Sequence, residues 1–237
     1  MRQENGNDYT PILKHSESVK DSYKSMQDIV FERLRDLILS GSLQPGESLN
    51  TIKLTKMLEV SRTPIREALN RLTSIGLVEN IPNKGAYVRQ LSIEQIIEVY
   101  YIRAALAGIC ARLATTRLTD QMKAKMERLC DEMETAVAEK EHDIMLSKNY
   151  EFHHILYKAA DSPRIEELVA QYYSQSEQYR ALGLELPGRY SEICEEHRRI
   201  MNALLSGDKD KAEYYAREHH FNTAKRIANT VGEELDI

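Results

Sequence analysis

LTKMLEVSRTPIREALNRLTSIGLVENIPNKGAYVR, residues 54 to 89, decides how the front of this chain folds. It opens at the end of a short helix, about Ile52 to Leu58, and breaks at Val60-Ser61-Arg62-Thr63-Pro64. Proline is tolerated in a first helical turn because the N–H groups there have no intrahelical partner, and Ser61 or Thr63 is placed to cap that end. The helix that follows runs to about Ile75. Its inward face is Ile65, Leu69 and Leu72, which leaves Arg62, Arg66 and Arg71 to face outward. Gly76 stops it, and Leu77 to Ile81 and Ala86 to Arg89 read as short strands around the Asn83-Lys84-Gly85 turn. Upstream, Val30, Leu34, Leu37 and Ile38 recur at helical spacing from Met26 to Leu39, with Gly41 as a stop and Pro45-Gly46 as turn chemistry. Three short helices and a hairpin make a winged helix.

Working outward, strand signals vanish after Ser92. Six helices are expected, at about 92 to 117, 119 to 139, 142 to 160, 163 to 182, 188 to 206 and 208 to 230. They are separated by Thr119-Asp120, Asp161-Ser162-Pro163, Leu186-Pro187-Gly188 and Ser206-Gly207-Asp208. The expected fold is mainly α: a winged helix-turn-helix at 25 to 90, then an all-helical bundle at 91 to 237. Residues 1 to 24, polar and without apolar periodicity, read as a flexible tail.

With 42% hydrophobic and 29% charged residues the chain is neither disordered nor fibrous. No apolar run approaches the roughly 20 residues a membrane-spanning helix needs, and the start, MRQENGNDYT, lacks a secretory segment, so no membrane partner is expected. The expected place is the bacterial cytoplasm, on the nucleoid when DNA is bound. Cys110, Cys130 and Cys194 lie far apart without a CxxC and read as small buried hydrophobes. Residues 25 to 90 carry a net charge of +2 and residues 91 to 237 a net −7, which turns the front toward a polyanion and the back away from it.

A helix-turn-helix sets the N-terminal residues of its second helix against base edges in the major groove. Here that places Ser61, Arg62, Thr63 and Arg66 at double-stranded DNA, with Arg35, Arg71 and the hairpin tip Lys84-Gly85 as further contacts. Taken alone, outward arginines on an amphipathic helix are more often simply solvated. The ordered run Val60-Ser-Arg-Thr-Pro-Ile-Arg-Glu-Ala-Leu69, Gly76-Leu-Val-Glu79 and Pro82-Asn-Lys-Gly-Ala86 resembles the winged helix-turn-helix of the GntR family of bacterial regulators. Two departures stand out: Glu59 replaces a usual turn glycine, and Ile52 replaces a charged residue of some members.

In the back half, His153, His197 and His219 fall on three separate helices, and Asn149 shares a face with His153 one turn away. Three imidazoles and an oxygen inside a bundle suit zinc or another first-row divalent ion such as nickel, although a lone helical histidine is ordinarily packed or solvated. This half resembles the FCD ligand-binding domain of the FadR branch of GntR regulators, through Asn149-Tyr-Glu-Phe-His153, Glu196-His197 and Arg217-Glu-His219. Six helices place it with VanR-like members. The resemblance implies metal ligands at Asn149, His153, His197 and His219, with Asn149 in place of the commoner aspartate.

It also implies a small organic carboxylate as effector, with Arg103 and Tyr150 as contacts and Tyr172, Tyr173 and Tyr179 as further pocket candidates. His154 and His220 point about 100° away from the ligand positions on their helices and receive no role. The expected protein is a homodimeric repressor on a palindromic operator and not an enzyme. The alternatives are a metal-responsive regulator, or a metal-dependent enzyme carrying a DNA-binding appendage.

Overall fold

The computed structural model describes residues 24–177, 179, 188–229 and 235; the expected tail lies outside them apart from Lys24. Helix α1, Met26–Leu39, starts from a capping box in which Ser25 Oγ accepts from Asp28 N–H and the Asp28 carboxylate accepts from Ser25 N–H. Helix α2, Thr51–Leu58, begins under Asn50, whose Oδ1 accepts from Ile52 and Lys53 N–H at 2.9 and 3.2 Å. Glu59 ends it at φ 54°, in the left-handed conformation that glycine adopts freely. A glycine, which the resemblance leads one to expect there, would adopt it without strain; the glutamate side chain costs about 1–2 kcal/mol.

Helix α3, Arg62–Ser74, buries Ile65, Ala68, Leu69 and Leu72 against Val30, Leu34 and Ile38 of α1. Strands β1, Val78–Ile81, and β2, Gly85–Val88, pair antiparallel with Val78 opposite Val88 and Ile81 opposite Gly85. A lone bridge from Ser48 to Tyr87 extends this wing. Winged helix and helical bundle are both as expected.

The bundle comprises α4 (Ile93–Ala114), α5 (Asp120–Glu139), α6 (His142–Ala159), α7 (Pro163–Glu177), α8 (Arg189–Ser206) and α9 (Lys209–Asn229). Its core includes Met126, Met133, Met145, Phe152, Leu156 and Ile200, all buried. Each such side chain contributes about 1.5–3 kcal/mol by leaving water. Helices α4 and α9 lie close because Gly108 has no side chain: a Cβ there would sit 2.5 Å from Arg217 Cγ. The three cysteines are free and buried, as expected, and burial pushes the Cys110 and Cys130 thiols up to about 12.

Among the described residues, hydrogen bonds from Gln175 and Tyr179 fasten the winged helix to the bundle. Gln175, near the end of α7, donates through Nε2 to Ile75 O at the C-terminus of α3, at 3.1 Å. Tyr179 OH accepts from Leu91 N–H at 2.8 Å and donates to Arg89 O at 3.4 Å. Tyr179 is therefore a buried strut at this junction, a correction to its candidacy for the pocket. Gly76 sits beside Gln175 at φ 79°. Gly76→Ala forces a side chain into that conformation and is expected to cost about 1–2 kcal/mol, read as a shift in the urea midpoint. An unshifted midpoint would mean that the turn re-forms with negative φ.

Candidate DNA interface and histidine site

At the start of α3, Ser61 occupies the N-cap position, but its hydroxyl makes no capping bond, contrary to expectation. Ser61, Arg62, Thr63 and Arg66 are all exposed, as are Lys84 and Gly85 at the hairpin tip. Among the described residues neither Arg62, Arg66 nor Lys84 has an ion pair, so their charges remain available. Together with the unbonded N–H groups of the first turn they form a surface suited to phosphate and base edges.

Two expected DNA contacts are placed otherwise. Arg71 reaches back to Asp28 at 2.7 Å with its guanidinium 4.1 Å from the Phe31 ring centroid, clamping α3 to α1. Arg35 pairs with Asp36 at 3.0 Å and lines a cleft between α1 and the bundle. One turn decides both cases: each side chain lies on the part of its helix that faces another element.

In the bundle, α6, α8 and α9 bring His153, His197 and His219 together, 3%, 0% and 5% exposed. His153 Nε2 is 3.2 Å from both His197 Nε2 and His219 Nε2, and one ligand atom from each of the three residues lies within 4.8 Å of the others. The outward nitrogens set the tautomers. His197 Nδ1 lies 2.7 Å from Ile193 O and His219 Nδ1 lies 2.6 Å from Glu196 Oε2, and both partners only accept. The proton is therefore on Nδ1 in both rings, and two Nε2 lone pairs face His153. A single proton on His153 Nε2 can satisfy only one of them.

Burial, reinforced by neighbouring imidazoles, holds His153 well below its ordinary range and His197 at about 3; burial also lowers His219, against the pull of Glu196. All three rings are neutral at pH 7, the form that ligates a metal. Nitrogens about 2.0–2.1 Å from a shared ion stand roughly 3.0 Å apart at right angles and about 3.4 Å apart at the tetrahedral angle. The 3.2 Å separations fit that spacing. Asn149, half-buried one turn before His153, makes no side-chain hydrogen bond among the described residues.

Glu196 receives more than His219. Arg189, 0% exposed, grips both of its oxygens at 2.7 and 3.0 Å and also bonds Thr223 Oγ1 at 3.0 Å, while Asn222 adds a bond at 2.8 Å. Burial pushes the Glu196 carboxyl up, but His219 and Arg189 outweigh it and hold the group at about 2. A carboxylate orienting a histidine in this way is the usual outer support of a metal ligand. The Glu196 carboxylate thus points onto His219 and away from His197, its neighbour in sequence.

His220 stands outside the trio, as expected, but it is buried. It is 2% exposed, its ring centroid lies 5.6 Å from that of His153, and its Nε2 is 3.3 Å from Tyr157 OH. His154 is exposed and stacks with Tyr150. Arg103 bonds Ser176 Oγ at 2.8 Å, lies near the Tyr100 and Tyr173 rings, and has no carboxylate partner among the described residues. The cleft, about 680 Å³, extends from His153 past Tyr150, Tyr157 and Tyr173.

Residues 26–88 match the bacterial regulatory proteins of the gntR family, and residues 98–222 match the FCD domain. The chain belongs to the GntR family. Within it, this chain is 33% identical over 195 residues to the Nta operon transcriptional regulator of Aminobacter aminovorans, covering 81% of this chain and 90% of that one. It is 29% identical over 207 residues to a probable D-xylose utilization operon transcriptional repressor of Paenarthrobacter nicotinovorans, covering 81% and 85%. The fold is shared with Escherichia coli McbR/YncC, at a TM-score of 0.74, 24% identity, and coverage of 89% and 100%. Like these GntR-family members, the protein is a DNA-binding transcriptional regulator; the comparisons favour that over an enzyme. Among the described residues no helix is long and apolar enough to cross a membrane.

Proposed function

We propose that this regulator is a homodimeric repressor that reads a palindromic operator through Ser61, Arg62, Thr63, Arg66 and Lys84, and releases it on binding an organic carboxylate beside a divalent metal ion. The observation that carries the effector half is the convergence of His153, His197 and His219 with two Nε2 lone pairs turned inward. Asn149 supplies an oxygen donor, and zinc suits the donor set best, with nickel as the alternative. When bound, the ion supplies positive charge and open positions for carboxylate oxygens. Arg103 adds a guanidinium free of any carboxylate partner among the described residues, and Tyr150 lines the approach.

Dimerisation is supported by α4. Ile102 and Ile109, 37% and 42% exposed, flank the exposed Ala105 on one outer face of that helix. A two-fold dimer then matches a palindrome. Repression is the sign printed for the Paenarthrobacter relative, and it supports the same sign here.

The test of the DNA half begins by selecting the operator from random duplexes with the full chain. Arg66→Ala is expected to weaken specific binding by about 1–3 kcal/mol while sparing non-specific binding, whereas Lys84→Ala weakens both. Undiminished discrimination in Arg66→Ala would remove that residue from base contact, and selection of asymmetric sites would count against the dimer.

A further inference from the structure

The cleft onto which His153 opens is walled by both halves of the molecule. Tyr150, Tyr157 and Tyr173 of α6 and α7 form one side; Arg35, Asp36 and Leu39, from the last turns of α1, form the other. Its volume of about 680 Å³ lies within the range of small-molecule sites.

Charge is graded along this space. At the inner end stand His153, whose buried Nδ1 has no hydrogen-bond partner among the described residues, and, behind Tyr157 and Tyr173, the guanidinium of Arg103, which has no carboxylate partner among them. The outer walls carry the carboxylates of Asp36, Asp143, Glu166 and Glu177 against the cations of Arg35 and Lys158. Both cations are committed, Arg35 to Asp36 at 3.0 Å and Lys158 to Glu166. Asp143, exposed in the first turn of α6, has no cationic partner among the described residues. A second carboxylate on a ligand would therefore meet uncompensated negative charge at the outer end, whereas an ammonium group would be welcomed there.

The geometry points to a zwitterionic effector, with its carboxylate at the inner end of the cleft and a protonated amine at the outer end, received by Asp143 of the bundle beside the Arg35–Asp36 pair of the winged helix. The carboxylate end rests on the function proposed above; the amine end is new. Such a ligand touches the DNA-binding unit directly, because Asp36 belongs to the same helix whose Asp28 holds Arg71 of α3.

Three acids of equal chain length separate the ends: ε-aminocaproate, caproate and adipate, titrated calorimetrically into the full-length, metal-loaded protein. ε-Aminocaproate is expected to bind about tenfold more tightly than adipate, with caproate between them, the size of one partly exposed attraction replaced by a repulsion. Asp143→Lys, at an exposed position without partners, is expected to reverse the order, a gain of adipate binding that misfolding cannot produce. Adipate binding as tightly as ε-aminocaproate to the unaltered protein, or an order unmoved by Asp143→Lys, would overturn the amine end and leave the carboxylate reading standing. Failure of all three acids to bind would overturn the carboxylate end as well.

Discussion

Protein purified without added metal or a histidine tag is expected to hold about one divalent ion per chain, and His197→Ala is expected to lower zinc affinity by more than about a hundredfold. The magnitude follows from position: changes in the outer support of a metal site already cost about ten- to a hundredfold, and His197 would be a ligand itself. His153→Ala and His219→Ala should behave alike, since each removes one of three converging Nε2 atoms. Asn149→Asp adds a negative charge at the remaining donor and is expected to tighten zinc about tenfold. The acid side is informative too. Because burial keeps His197 neutral down to about 3, protons should compete with zinc only in acid, well below the ordinary histidine range. Mass-spectrometric metal content and competition with a chromogenic chelator check all of this. Wild-type protein that is folded, bound to operator and free of metal would sink the metal site, and the effector would then have to be held by Arg103 and neutral histidines alone.

Glu196→Ala is expected to destabilise the fold by about 3–5 kcal/mol, the usual consequence of leaving a buried charge unpaired. The stranded charge is Arg189, whose side chain is wholly buried and whose only other ion pair among the described residues is a weaker one with Glu192 at 3.4 Å. The pH dependence gives an independent check. The Glu196 carboxyl sits at about 2 against an ordinary 4.5, so its contribution is complete above 4.5 and disappears as the pH falls toward 2. By linkage this amounts to about 3 kcal/mol. Urea unfolding at neutral and acidic pH should show this loss in the wild type and a correspondingly flatter profile in the variant. Glu196→Gln, which retains hydrogen-bonding capacity without the charge, should fall between the two. Equal stability of Glu196→Ala and wild type at neutral pH would show that Arg189 finds water or another partner when its carboxylate is removed.

The elements were legible because their signals are local. Stripes such as Val30, Leu34 and Ile38, the breakers at Gly41 and Gly76 and the turn at Asn83-Lys84-Gly85 each act within a few residues, and the observed elements follow them. The histidine trio was found through a resemblance and not through periodicity, because nothing local to α6, α8 or α9 says which faces meet. The misplacements share that cause. The rotation of about 100° between neighbouring helical residues turned His220 away from His219's direction, yet Tyr157 of α6 is packed where it points. Arg71 looks outward on its own helix until α1 supplies Asp28 and Phe31. Arg189 and the role of Glu196 had no local signal beyond the Glu-His pair, since Glu196 reaches across to His219 and Arg189 across to Thr223 on α9.

The two fastenings at Ile75 and Leu91 also have a mechanical meaning. Two fixed points define a line, and a rigid body held at two points keeps one freedom, rotation about that line. Through Gln175 and Tyr179 the winged helix is held near the end of its recognition helix and at the exit of its wing. It is thus a hinged plate and not a bead on a string. If the effector acts as proposed, the natural variable for switching is an angle, and in a dimer that angle would set how far apart two operator half-sites must lie.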